Sequence, residues 1–287
     1  MDKTPSASNH APTPRPLPQS DREGEKNLTP RSLESLVASP SEGEGKETAA
    51  TLKILGLITA RGGSKSVPRK NILPVAGRPL LAYTCEAAKG SRYLSRVILS
   101  TDDDEISEVG QANGVEVPFK RPAELAQDDT PSIAVAQHAL KWLADNEGWQ
   151  ADILVLLQPT SPLRQAQHID EALAAMLEAG ADTVVSVVAV PHPFSPYKVM
   201  ELRDGLLHNF WTQPLPFDPS RRQNVPTLYA RNGPAVLASR AGVIERGGFY
   251  GDRIVPYVMT EADSVDVDTP FDLRVVEWLL REREAVS

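Results

Sequence analysis

From Leu52 onward the chain alternates two kinds of segment, and that alternation confines it to a few architectures. "LKILGLITA", "RVILSTD", "DILVLLQPTS" and "DTVVSVVAV" are short, almost unbroken apolar runs rich in Val, Ile and Leu. Between them lie "RPLLAYTCEAAKGS", "DDEISEVGQANG", "PSIAVAQHALKWLADN" and "QHIDEALAAMLEAG", where apolar residues recur at helical spacing. Gly114 stands where the second of these should end. A strand with one wet face alternates apolar and polar residues, whereas a run that is apolar throughout is covered on both faces. Such strands alternating with helices predict an α/β fold: a mainly parallel sheet between two helical layers, a three-layer α/β/α sandwich of Rossmann-like type. The closing "TPFDLRVVEWLLREREA" reads as an amphipathic helix.

Two stretches break the rhythm. Residues 1–50 hold seven of the 25 prolines and no aromatic residue. They carry too little apolar surface to offset the entropy of ordering, and are predicted to be a disordered polar extension. Within it, "SLESLVA" at 32–38 has the pattern of a short transient helix, and the many glutamates are unlike a transit peptide. Residues 51–287 then form one domain. Within that domain, 191–230 is rich in proline and scattered aromatics, and "RDGLLHNF" carries an Asp-Gly hairpin signal. This region reads as an insertion. The alternation resumes weakly at "PAVLASRAGVIERGG".

Composition removes several function classes. A net charge of -8 argues against a general nucleic-acid binder, which needs a basic face. No apolar run approaches the ~18 residues of a membrane span, and no secretion signal pattern opens the chain. The single cysteine, Cys85, permits no disulfide within the chain and falls in a predicted helix as a buried thiol, consistent with a cytoplasmic setting. The histidines show no metal-ligand spacing.

Against this acidic background "ARGGSKSVPRKN" stands out. It follows the first strand, where open α/β sheets place their ligands. It carries Arg61, Lys65, Arg69 and Lys70, and no acid occurs between Thr48 and Cys85. Adjacent glycines let backbone amides approach a phosphate, and the cations balance its charge. The spacing satisfies neither Gly-x4-Gly-Lys-Ser/Thr nor Gly-x-Gly-x-x-Gly, so neither a P-loop nor a dinucleotide fingerprint is present. Far downstream, "DSVDVDTPFDL" sets Asp266 and Asp268 two residues apart. In an extended segment that puts both carboxylates on one side, a hard-oxygen pair suited to Mg²⁺ (or Mn²⁺). The same spacing also suits an aspartate that caps the final helix or a turn. Asp263 and Asp272 read as a turn residue and a helix N-terminal charge.

The basic loop resembles the N-terminal signature of the acylneuraminate cytidylyltransferases, the CMP-sialate synthetases. "STDD", "RPAEL", "LLQPTSPLR", "RNG" and "DSVDVDTPFDL" follow in the family's order, so the resemblance covers the chain from about Leu52 onward. It implies a nucleotidyltransferase that joins CTP to a nine-carbon 2-keto acid sugar, releases pyrophosphate and uses Mg²⁺. It implies that Arg61 and Lys70 contact the triphosphate, with Ser64 or Lys65 adding contacts, and that Asn71 reads cytosine. Arg121 approaches the nucleotide, as Ser132 also could. The resemblance further implies that Asp266 and Asp268 hold the metal, and that Asp268 is catalytic together with Arg61 and Lys70. Gln158, Arg222, Arg231 and Asn232 face the sugar, whose carboxylate suits arginine. By the same resemblance 191–230 is a dimerisation arm closing over the sugar site of a homodimer. The alternatives are a cytidylyltransferase for legionaminate or pseudaminate, another sugar nucleotidyltransferase, or a non-catalytic nucleotide-binding homologue; Kdo-type enzymes differ in the loop wording. Two positions depart from the pattern: Ser66 stands where the family usually has glycine, and "NGPAVLAS" replaces "NG-A-I-Y". Residue types alone assign Arg69 to a solvated cation, Arg164 to a salt-bridging loop residue, and Thr101 to the N-cap of the helix that follows.

Overall fold

The computed structural model describes residues 52–63 and 67–286. The expected extension with its "SLESLVA" helix, and Ser64, Lys65 and Ser66 in the basic loop, lie outside the described residues.

Strand β1 (Ile54–Thr59) is the first apolar run. A two-residue ladder, β2 (Pro74–Val75) with β3 (Arg78–Pro79), leads into α1 (Leu80–Gly90). Then come β4 (Arg96–Ser100), α2 (Asp104–Ala112), α3 (Ser132–Glu147), β5 (Ile153–Leu157), α4 (Ala166–Glu178) and β6 (Thr183–Ala189). β1 pairs in parallel with β4 on one side and β5 on the other, with Leu57 opposite both Ile98 and Leu156. Every residue of β5 is buried, as a run covered on both faces requires.

Past the inserted region, where the hairpin β7 (Met200–Arg203) and β8 (Leu206–Asn209) and the short β9 (Tyr229–Arg231) lie, come β10 (Leu237–Arg240), the short α5 (Ala241–Glu245), β11 (Ile254–Val258) and α6 (Pro270–Val286). The sheet runs β11-β6-β10-β5-β1-β4, with β9 added to the end of β6. β10 is antiparallel to both its neighbours. A short apolar run carries no mark of its direction, so the weak resumption at "PAVLASRAGVIERGG" is a reversed strand with a single helical turn.

The pleat sorts the core. Ile54, Ile58, Ile153, Val155 and Leu157 face α1 and α4, whereas Leu55, Leu57, Leu154 and Leu156 face α3 and α5. Cys85 is fully buried among the first group, and burial pushes its thiol up to about 12. A third cluster, with Val267, Val276 and Leu280, seats α6 against Leu80 and Tyr83 of α1.

The N-terminus of α2 corrects one expectation. Its N-cap is Asp103, whose Oδ1 accepts from the Ile106 amide at 3.0 Å. Thr101 instead sits in a bridge with Lys120, and its hydroxyl accepts from the Asp103 amide at 3.2 Å. The hairpin matches its Asp-Gly signal: Asp204 and Gly205 take φ of 51° and 77°, the left-handed pair of a type I′ turn.

Candidate active site

The carboxyl ends of β1 and β5 open into a cleft of about 410 Å³. Arg61, Lys70, Asn71, Arg121, Gln158 and Asp268 all line it. They come from five separate stretches of chain, and the parallel sheet is what gathers them at one edge.

The loop after β1 is held tightly. The Gly62 amide donates to Asp102 Oδ1 at 3.1 Å, and a Cβ on Gly62 would stand 2.7 Å from Asp103 Oδ2. Only glycine fits that approach. Asn71 is buried, and its side-chain amide donates to the Arg61 carbonyl at 3.0 Å, closing the loop on itself. Arg69 is not the solvated cation its residue type suggests. Its guanidinium binds Asp103, at 2.5 Å to Oδ2, and Glu105, pinning the end of the loop to the first turn of α2. The Arg69 pairing holds the Asp103 carboxyl below its usual range.

Lys70 crosses to the far wall. Its Nζ donates to the Val267 carbonyl at 2.6 Å and lies 3.5 Å from Asp268 Oδ1. Val267 is fully buried under α6, so Asp266 and Asp268 on either side of it turn the other way. Asp268 is open to the cleft. Asp266 sits deeper, accepting from Ser161 Oγ at 3.4 Å, and burial raises its pKa. Gly233, at φ 110°, passes so close that a Cβ would meet Ser161 Oγ at 3.0 Å and Asp266 Oδ1 at 3.2 Å. Asp272 Oδ2 accepts from the amides of Asp268 and Thr269, at 3.0 and 2.7 Å, and Asp263 pairs with Arg283, which fixes both ends of the segment. Among the described residues no group of three or more His, Cys, Asp or Glu converges. Two carboxylates nevertheless fit Mg²⁺, which is usually held by one or two carboxylates together with substrate phosphates and water.

Arg121 is the buried cation of the cleft. Its Nε donates to Ser100 Oγ at 3.0 Å and its Nη2 to the Ser100 carbonyl. No carboxylate pairs with it among the described residues, and burial pushes its pKa down to about 10. Such a cation favours an anionic or electron-rich partner. Ser132, opening α3, lines the same cleft.

Arg164 is buried and has no carboxylate partner among the described residues, contrary to the salt bridge its type suggests. Its Nη1 donates to the carbonyls of Ala235 at 2.7 Å and Gln158 at 3.3 Å, and its Nη2 to Thr84 Oγ1 at 2.7 Å. The turn after β5 and the segment entering β10 each present a carbonyl to the interior, and the guanidinium binds both.

The other sugar-side candidates lie apart. Arg222 is exposed in a turn of the inserted region. Arg231 is exposed on β9, where its Nη1 donates to Tyr250 Oη at 2.8 Å and its guanidinium lies 5.5 Å from that ring's centre. Asn232 is buried: its Oδ1 accepts from Ser186 Oγ at 2.6 Å and its Nδ2 donates to Ser264 Oγ at 2.9 Å. None of the three lines the cleft. Gln127, Asp128, Thr130 and Thr160 do, and residue-by-residue reading passed over them. The first three follow "RPAEL" directly, and that adjacency was the available signal.

The profile of the cytidylyltransferase family matches residues 55–245, a stretch that includes β1, the basic loop and the end of β5. The chain belongs to the cytidylyltransferase family. It is therefore a nucleotidyltransferase by family. Post-translational flagellin modification protein B of Campylobacter coli is 32% identical over 237 residues, covering 80% of this chain and 96% of its own. N-acylneuraminate cytidylyltransferase of Escherichia coli O18:K1:H7 is 32% identical over 78% of this chain. The chain spans about half, 51%, of that relative. CMP-N,N'-diacetyllegionaminic acid synthase of Legionella pneumophila is 31% identical over 80% of this chain and 97% of its own. The solved CMP:2-keto-3-deoxy-manno-octonic acid synthetase complexed with CTP shares the fold at a TM-score of 0.58 and 18% identity, covering 80% of this chain and 99% of that one.

Proposed function

We propose that this cytidylyltransferase joins CTP to a nine-carbon 2-keto acid sugar of the sialic acid type, giving the CMP-sugar and pyrophosphate. The observation that carries this reading is the meeting of Lys70 and Asp268, far apart in the chain, at 3.5 Å in one cleft with Arg61 and Arg121. Cations beside a carboxylate pair suit a nucleoside triphosphate and its divalent cation. In the reaction the anomeric hydroxyl oxygen attacks the α-phosphorus and gives its proton to solvent, while the bond from the α-phosphorus to the bridging oxygen breaks and pyrophosphate leaves with that electron pair.

In this reading Arg61 and Lys70 hold the phosphates and offset the charge that builds up between attacking and leaving oxygens. Ser64 or Lys65 adds a phosphate contact. Asn71 and Arg121 hold the nucleoside, and Gln158 meets the sugar. Asp266 and Asp268 would hold Mg²⁺ or Mn²⁺, which when bound supplies Lewis-acid stabilisation of the phosphate oxygens. Arg222, Arg231 and Asn232 complete the sugar site in a homodimer, with residues 191–230 of the 51–287 domain serving as the arm between copies. The apolar surface of the β7–β8 hairpin supports that role. An enzyme drawing on CTP belongs in the cytoplasm.

Identity to relatives named for legionaminate and for neuraminate is nearly the same, at 31% and 32% in the two quoted above. The test is a panel of CTP with N-acetylneuraminate, legionaminate, pseudaminate and Kdo, following pyrophosphate release with Mg²⁺. Turnover with one of the nine-carbon acids is expected. Turnover with Kdo alone, or with none, overturns the reading.

A further inference from the structure

Among the described residues, the charged side chains lining the cleft are three cations, Arg61, Lys70 and Arg121, and two carboxylates, Asp128 and Asp268. Two of the cations face carboxylates. Lys70 lies 3.5 Å from Asp268. Arg61 reaches over the cleft to Asp128, with Nη1 to Oδ1 at 2.5 Å. Asp128 stands on the segment between the turn Ala123–Leu125 and α3, so this pair ties the β1 loop to the opposite rim. Its side chains are 32% and 41% exposed, so water and salt reach it.

The pairing of Lys70 with an aspartate is explained by the metal and phosphate chemistry proposed above. The Arg61–Asp128 pair is not. A carboxylate on a guanidinium nitrogen occupies the direction a phosphate oxygen would take, since both oxyanions use the same fork of donors. Its own negative charge also repels a polyphosphate entering the cleft.

We infer that Asp128 is a positioning residue that holds Arg61 across the cleft and gives it up to the polyphosphate of the nucleotide, so that it sets nucleotide affinity. The inference rests on the reading of this cleft as a CTP site. A half-exposed ion pair is weak enough for a triphosphate to displace. The cost of displacing it appears as weaker binding, by about 2- to 5-fold on the scale of such pairs. Neutralising Asp128 leaves, among the described residues lining the cleft, one carboxylate against three cations.

The test is calorimetric titration of the full chain, wild type and Asp128→Asn, with CTP and separately with inorganic pyrophosphate, each with Mg²⁺. Asp128→Asn is expected to bind both ligands about 2- to 5-fold more tightly at low salt, with the gain shrinking towards about 0.3 M salt. Asp128→Glu, which keeps the charge, should restore affinity to near the wild-type value, and thermal stability should stay level across the set. Unchanged or weaker binding by Asp128→Asn overturns the inference, as does a gain that ignores salt. If the wild type binds pyrophosphate and not CTP, the CTP reading fails while the pyrophosphate arm still judges Asp128. If it binds neither, both fall.

Discussion

The cleft and the inserted arm answer the same physical demand in opposite ways. Around the cleft each cation among the described residues has a partner supplied by the chain itself: Arg61 by Asp128, Arg69 by Asp103 and Glu105, Lys70 by Val267 and Asp268, Arg121 by Ser100. The walls beneath are fully buried leucine, isoleucine and valine. In the arm, every residue of β7 and β8 is exposed, and Leu202, Leu206, Leu207 and Phe210 are each more than 60% open. The hairpin is held by its own ladder and its Asp-Gly turn. The first region is knit together by partners within one chain; the second presents an apolar surface of the kind that marks an interaction site. Chemistry and assembly should therefore separate on mutation.

The largest effect is expected at Lys70. Lys70→Ala should lower the rate of pyrophosphate release by about 10²–10³-fold, the scale of losing one charged stabiliser of a developing oxyanion. Circular dichroism and the sedimentation profile should stay as in the wild type. Asp268→Asn should lower the rate similarly and raise the Mg²⁺ concentration needed for half-maximal activity. Full activity in either variant would break the assignment of the cleft.

A smaller effect, on assembly, is expected in the arm. Leu202→Asp combined with Leu207→Asp places two charges on the apolar hairpin. We expect weaker self-association by about tenfold or more, read as a shift towards monomer in light scattering across a dilution series. Melting of the α/β body should move little, since neither leucine is buried in it. If the wild type is monomeric at every concentration, the arm requires another occupant and the contrast with the cleft must be redrawn.

What could be read in advance follows the same divide. Unbroken apolar runs and helical spacing report burial directly, so β1, β4, β5, β6 and the helices around them stood out. Motif order brought Lys70 and Asp268 to one site, although only the sheet shows how the carboxyl ends of β1 and β5 meet. Features set by long-range partners were hidden. Nothing in "AVLAS" marks β10 as antiparallel, because direction is fixed by the strands it lands between. Arg69 and Arg164 look like ordinary loop cations until the fold brings carboxylates to one and carbonyls to the other. Asp128, in a polar run, reads as a solvated acid until Arg61 is found opposite it. Asn232 matches a sugar-contacting position, and nothing in the sequence shows that its amide also binds Ser186 and Ser264.

The smallest effect belongs to Asp103, which lets the cleft be probed without touching its chemistry. It caps α2, holds Arg69 and lies against Gly62, so it ties the basic loop to the start of α2. Asp103→Ala should cost about 1 kcal/mol at neutral pH, the usual cost of losing such a cap, with the half-exposed Arg69 pair adding little. The pH dependence has a definite sign. The Asp103 carboxyl titrates below its ordinary value because Arg69 and the α2 amides favour its charged form. Its contribution is therefore fully present above the unfolded value, near pH 4, and is lost as pH falls through the lower folded value. Urea unfolding of wild type and variant should differ by the full amount at pH 7, and the gap should close progressively below about pH 4. A gap that stays constant into acid would mean that Asp103 acts through packing and not through its charge. Because the residue lies far from the hairpin in chain and contacts, its loss should leave self-association unchanged, whereas the arm variants should leave the acid limb of the unfolding profile unchanged.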